Sequence, residues 1–232
     1  MSAMLFDLPE IPGLAVKGQN ALYPIGRIFC VGRNYAAHAA EMGFEVDREA
    51  PFYFTKSPAN VVLSGATVPF PPGTKNYHHE MELVMAIGAP VFRATQVEAQ
   101  AAIYAFGCGL DMTRRDLQIA SRNKQRPWDL GKDVENAAVL APLTPAAEMG
   151  DIGPQRIHLE VNGETQQDAT LDELIWKLDE IVMDLSKFYH LRPGDLIMTG
   201  TPAGVGPVQP GDKITGGIDG LDSISLTLTD VE

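Results

Sequence analysis

The stretch YHHEMELVM, residues 77 to 85, sets two histidines and two glutamates in a run that otherwise reads as a buried strand. Residues two apart on a strand point the same way, so Glu80 and Glu82 share one face while Met81, Leu83, Met85 and Ile87 share the other. A buried carboxylate without a partner is costly, and it calls for a shifted pKa or a cation beside it. Carboxylates about 7 Å apart along a strand can converge on one cation, with a further ligand from a neighbouring strand. In GCGLDMTRRDLQ, Asp111 ends an apolar strand just before a charged helix. Ligation by carboxylates alone suits Mg2+, Mn2+ or Ca2+ rather than zinc. Plainer readings exist for both: the wet face of an edge strand for the glutamates, and a helix N-cap for Asp111.

In GRNYAAHAAEMG, His38 and Glu41 stand three apart and share a face if the segment is helical. A carboxylate bonded to one ring nitrogen fixes the tautomer and leaves the other nitrogen free to take a proton from water. The plainer reading is an exposed pair on a helical turn. Lys132 lies in the polar loop RPWDLGKDVEN, and Arg115 and Gln118 share one face of the helix after Asp111. Near a metal, such groups could hold a carboxylate or stabilise an oxyanion. TGTPAGVGP, residues 199 to 207, could bind an anion through its amides and the Thr201 hydroxyl, or serve only as a turn. It lacks the lysine and spacing of a P-loop.

The elements expected to carry these groups are mostly short strands: Arg27–Val31, Phe52–Lys56, Glu80–Ile87, Gly107–Met112, Arg156–Val161, Asp195–Thr199 and Ser223–Thr229. Asn162-Gly163 signals a hairpin, since both residues tolerate positive φ. Apolar residues at three- and four-residue steps predict a helix over Leu171–His190, opened by a Thr170/Glu173 capping box. Shorter helices are expected at about Arg114–Gln125 and Tyr35–Met42, the latter with Asn34 as N-cap and Gly43 as its stop. The fold class is α+β, rich in β.

The net charge of −12 argues against nucleic-acid or anionic-membrane partners, which would call for clustered Lys and Arg. No segment reaches the roughly 18 apolar residues of a membrane span, and MSAMLFDLPEIPGLAV does not read as a leader, so a cytoplasmic location is expected. Cys30 and Cys108, in apolar surroundings with no CxxC spacing, read as small core residues.

GRNYxxHxxEM, HHExEL, LDMTxRDxQ, PWxxGK and TGTPxGVGP occur here in one order. Together they resemble the fumarylacetoacetate hydrolase family, over nearly the whole chain from about Ile28. The resemblance implies Glu80, Glu82 and Asp111 as ligands of Mg2+ or Mn2+, and His38 with Glu41 activating water on a short lid. It places Lys132 in catalysis and Arg115, Gln118 and Thr201 in the substrate pocket. It also implies the family's mixed β-sandwich or roll with peripheral helices, and a homodimer. A single catalytic domain is expected over 25–232, after an extension at 1–24.

The chain looks most like bacterial members that cleave 3-fumarylpyruvate to fumarate and pyruvate, a step of gentisate degradation. That substrate carries a second carboxylate, for which Arg33, Arg122 and Arg126 are candidate partners. Acylpyruvases tend to have Ser after the pocket lysine where this chain has Asp133. Ser57 stands where Lys-Pro is usual, which leaves the part played by Lys56 open. The alternatives are acylpyruvate hydrolysis, decarboxylation or tautomerisation of a 2-keto diacid, or a noncatalytic binding module stabilised by metal.

Overall fold

A computed structural model describes residues 5–6, 9–43 and 48–231. Its largest sheet runs in the order Phe52–Lys56, Arg27–Gly32, Asp195–Met198, Met81–Ile87, Ile103–Asp111, Ala138–Leu140, Val61–Leu63, with Thr144–Pro145 also on Ile103–Asp111. Met81–Ile87 is buried at every position. Its side chains divide by alternation: Met81, Leu83, Met85 and Ile87 enter one apolar cluster, while Val84 and Ala86 enter another. Both faces of this strand are therefore buried, and no wet edge is available to its one glutamate, Glu82.

A second sheet orders Glu164–Thr170, Arg156–Val161, Lys213–Ile218, Ile224–Val231 and Ala66–Phe70. Its Ile157, Leu159, Ile214 and Leu226 pack against Met81, Leu83 and Met85 in the first cluster. Asn162 and Gly163, at φ 54° and 84°, form the expected hairpin turn. The second cluster takes in Leu14, Val16 and Tyr23, so residues ahead of position 25 contribute to the core. Positions 1–4 and 7–8 of that expected extension, and positions 44–47 after the expected lid, lie outside the described residues. A third, three-stranded ribbon pairs Tyr77–His79 with Gly206–Val208 on one side and Thr113–Arg114 on the other. This ribbon gathers the chain around Glu80, Asp111 and the 199–207 loop.

The helices at Ala36–Glu41 and Arg115–Asn123 fall where the pattern placed them. The long helix does not. Thr170 and Glu173 form their capping box over a single 3-10 turn, Leu171–Glu173, and the α-helix spans only Leu178–Leu185. Between them Leu174 turns extended, at φ −57° and ψ 125°. Asn34 is the cause. Its carbonyl accepts from Ile175 N–H at 2.8 Å, and its side chain accepts from Trp176 N–H at 2.6 Å and donates to Trp176 O at 3.1 Å. A second donation to Thr199 O at 2.8 Å fixes the amide. Backbone groups that a continuous helix would pair internally are thus satisfied by the carbonyl and the side chain of Asn34. Asn34 does not cap the following helix, whose N-cap residue is Tyr35.

Candidate active site

The register of the central strands explains how three acidic side chains meet. Met81 pairs with Leu110 and Glu82 with Gly109 in the antiparallel ladder. One residue further along, Asp111 N–H donates to Glu80 O at 2.9 Å, which sets those two residues opposite each other. Opposed residues project from the same face, and Glu82 follows two positions on. The result is a cluster of Glu80, Glu82 and Asp111 with one oxygen from each within 4.8 Å of the others. All three are buried, and Asp111 is 0% exposed. Asp111 caps no helix, since the next one begins at Arg115 with Arg114 as its N-cap residue.

Three cations surround the cluster. Lys132 Nζ bridges Glu80 Oε2 at 2.8 Å and Asp111 Oδ2 at 2.6 Å, and donates to Thr113 Oγ1 at 2.8 Å. Lys56 Nζ lies 2.9 Å from Asp111 Oδ1 and also donates to Met112 O and Lys132 O. The Arg115 guanidinium donates to Glu80 Oε1 and to Gln118. Gly131 lets the short helix Asp129–Lys132 approach Arg115–Asn123, since a Cβ there would lie 2.8 Å from Gln118 N.

These charges set the ionisation of the cluster. Burial would raise the Glu80 carboxyl, but Lys132 and Arg115 outweigh it and hold Glu80 below the ordinary carboxylate range. Burial pushes Glu82 well up, and the neighbouring charges of Asp111 and Glu80 add to the effect. For Lys132, burial acts downward while Asp111 and Glu80 keep its pKa raised. Among the described residues Glu82 forms no ion pair, and its Oε2 accepts only from Gly200 N–H, at 2.8 Å. Asp111 Oδ1 is buried, with the Lys56 ammonium 2.9 Å away as its partner. An all-oxygen set with one carboxylate lacking a counter-charge fits a hard divalent cation.

His38 and Glu41 join as their spacing implied, with Nδ1 3.1 Å from Glu41 Oε2. Glu41 is itself anchored by the N–H of Gly204, at 3.2 and 3.3 Å from its two oxygens. Gly204 sits at φ 94°, and a Cβ there would fall 2.0 Å from Gln166 O, so no other residue fits.

One cleft of about 470 Å³ is lined by His38, Glu80, Glu82, Lys132, Arg115, Gln118 and Thr201, and also by Arg33 and Arg122. Arg126 is not among its lining residues; it borders a neighbouring groove with Phe52 and Phe54. Two features were not singled out in the sequence, and a third, the part played by Lys56, was left open there. Phe52, Phe54 and Trp128 form an aromatic wall, with the Arg33 guanidinium 5.5 Å from the Phe52 ring centre and Lys132 Nζ 4.9 Å from that of Phe54. Gln167, 0% exposed, donates to Thr201 Oγ1 at 2.8 Å and accepts from Met81 N–H at 2.9 Å, tying the second sheet to the site. Lys56 supplies a second ammonium to Asp111. The aromatic residues were visible as FYF and PWD, but Gln167 lies in a strand with no apolar alternation.

Residues 27–229 match the family described as fumarylacetoacetate (FAA) hydrolase C-terminal, and the chain belongs to that family. A fumarylpyruvate hydrolase of Ralstonia sp is 54% identical over 197 residues, covering 82% of this chain and 100% of that protein. An oxaloacetate tautomerase of Escherichia coli is 39% identical over 199 residues, covering 85% of this chain and 90% of that protein. Among solved structures, fumarylpyruvate hydrolase from Pseudomonas aeruginosa in complex with Mn2+ and pyruvate aligns with a TM-score of 0.92 at 44% identity. That alignment covers 99% of this chain and 100% of the other.

Proposed function

We propose that this protein is a metal-dependent hydrolase of a carbon–carbon bond in a 2,4-dioxo acid, converting 3-fumarylpyruvate and water to fumarate and pyruvate. One observation carries the reading: His38, held by Glu41, lines a single cleft with Glu80 and Glu82 of the buried carboxylate cluster, in a chain 54% identical to the whole of a fumarylpyruvate hydrolase. Glu80, Glu82 and Asp111 would hold Mg2+ or Mn2+, which supplies Lewis-acid polarisation to the α-keto acid end of the substrate.

The remaining work falls to the chain's own groups. Glu41 fixes the ring of His38 through Nδ1, which leaves Nε2 to take a proton from water as it adds to the distal carbonyl. The bond from that carbon to the methylene then breaks, and its electron pair passes into the pyruvate enolate. Lys132 stabilises this negative charge, and a proton returned to the methylene carbon gives pyruvate beside fumarate. Arg115, Gln118 and Thr201 orient the keto acid. Arg33 and Arg122, which line the same cleft, receive the distal carboxylate.

In this reading 25–232 is the catalytic domain, preceded by the segment 1–24 that lends Leu14, Val16 and Tyr23 to its core. The enzyme acts as a cytoplasmic homodimer in gentisate degradation, with neither nucleic acid nor membrane as partner. Among the described residues no helix is long and apolar enough to cross a membrane. A second reading, tautomerisation of a 2-keto diacid, is favoured by the tautomerase relative and needs no activated water. The test is an ultraviolet assay of fumarylpyruvate, acetylpyruvate and oxaloacetate with Mg2+, Mn2+ or EDTA. Metal-dependent release of fumarate and pyruvate supports the hydrolase, and turnover of oxaloacetate alone overturns it.

A further inference from the structure

Lys56 ends the strand Phe52–Lys56, and Lys132 ends the four-residue helix Asp129–Lys132. Their ammonium groups take opposite oxygens of one carboxylate, Lys56 Nζ at 2.9 Å from Asp111 Oδ1 and Lys132 Nζ at 2.6 Å from Oδ2. Lys56 also donates to the carbonyl of Lys132. The residue after each lysine closes the arrangement from the other side. Asp133 Oδ1 accepts from Ser57 N–H at 2.6 Å and from Asn60 Nδ2 at 2.6 Å. Two lysine-bearing segments far apart in sequence are thus linked twice, once through a lysine side chain and once through an aspartate.

We propose that Asp133 is a positioning residue, which holds Lys132 and Lys56 on the buried carboxylates by fixing the N–H of Ser57. The consequence for turnover rests on the catalytic reading of Lys132. A helix of one turn has little rigidity of its own, and a lysine has four rotatable bonds, so the ammonium needs an external anchor. Asp133 supplies it at the first residue beyond the helix.

The residue type at position 57 fits this role. Ser57 has φ −67° and ψ 133°, angles that proline adopts without strain. Lys56 before it is in a strand, which a following proline also permits. A proline here would change the backbone little and remove the N–H donor, together with the hydroxyl that accepts from Ala59 N–H at 3.3 Å. The Lys-Ser-Pro sequence keeps that donor, and Asp133 is the acceptor it meets.

The test uses the full chain and the variants S57P, D133A, D133N and S57P/D133A. Lysine acylation of the metal-free protein, read by mass spectrometry, reports positioning independently of turnover. Lys56 and Lys132, each 2% exposed, stay unmodified in the wild type and in D133N, whose amide oxygen still accepts. Both become modified in S57P and D133A. With Mn2+ and fumarylpyruvate, kcat falls about tenfold or more in those two variants while KM changes little, as misplacement of a catalytic group implies. The double variant loses less than the sum of the two single losses, because both remove the Ser57–Asp133 contact. Protected lysines and a wild-type kcat in S57P and D133A overturn the proposal, as do additive losses or a D133N that fails like D133A. If the wild type does not hydrolyse fumarylpyruvate, the functional reading falls while the acylation result still decides the positioning.

Discussion

Glu80 and Asp111 face each other across the antiparallel pair, joined by the 2.9 Å hydrogen bond from the Asp111 amide to the Glu80 carbonyl. With Glu82 they set three carboxylates against Lys56, Lys132 and Arg115. With all three carboxylates ionised, the formal charges of this set cancel. A divalent cation then leaves two positive charges, which a doubly charged acid such as fumarylpyruvate neutralises.

Removing one acid is expected to differ sharply from removing another. Asp111→Ala leaves two buried ammonium groups short of a partner and should destabilise the metal-free protein by about 3–5 kcal/mol. Glu82→Gln removes a carboxyl that burial already holds toward its neutral form, so it should leave metal-free stability nearly unchanged. It should nevertheless abolish the rise in Tm produced by Mn2+. Urea unfolding and thermal melts with and without Mn2+ check both halves. A full Mn2+ response in Glu82→Gln would remove Glu82 from the ligand set.

His38→Ala should lower kcat by about 10²-fold or more, the usual size of a general-base contribution, while keeping the Mn2+ response in Tm. Steady-state kinetics beside a thermal melt separates the two effects. Turnover at the wild-type rate would exclude the imidazole as the base.

Arg122→Ala should raise KM for fumarylpyruvate by about tenfold, the value of a hydrogen bond between charged groups, and leave KM for acetylpyruvate unchanged. Equal effects on the two substrates would mean that Arg122 does not read the distal carboxylate.

Burial raises the phenols of Tyr23, Tyr35, Tyr53 and Tyr77 above their ordinary 10.0. It also pushes the Cys108 thiol up to about 12 and raises that of Cys30. Groups whose folded pKa is raised contribute stability that is complete below the unfolded value and is lost as pH climbs through the folded one. The melting temperature should therefore begin to fall above the unfolded thiol value of 9.0. At about pH 11 these four phenols should ionise only on denaturation, seen as a jump in tyrosinate absorbance. Their full titration in the folded protein would contradict the burial described here.

Much of the site was legible because its chemistry follows strand and helix periods. Alternation in HHEMELVM placed Glu80 and Glu82 together, and a three-residue step joined His38 to Glu41. What stayed hidden depends on contacts distant in sequence. Asn34 cuts the amphipathic run at residues 174–176 from 142 positions away, and no local pattern carries that information. Glu164–Thr170 is polar but for Ala169 and buries only Gln167 fully, so it gives no strand signal, although that one side chain ties Thr201 into the site. Arg126 looked equivalent to Arg122 in the sequence, and only the way the chain leaves its helix separates them. The helix Gln96–Ala102 shows that local signals can also be overlooked, since Thr95 and Glu98 form a full capping box before it.

The two buried faces of Met81–Ile87 have a bearing on how the chain avoids misfolding. A slip of one position against Ile103–Asp111 would exchange those faces, driving Glu82 into the apolar layer and away from every lysine. Such a mispaired sheet would strand anionic groups in hydrocarbon, a penalty that a purely aliphatic strand would escape. The acids at the heart of the cleft therefore also proofread the alignment of the sheet that carries them.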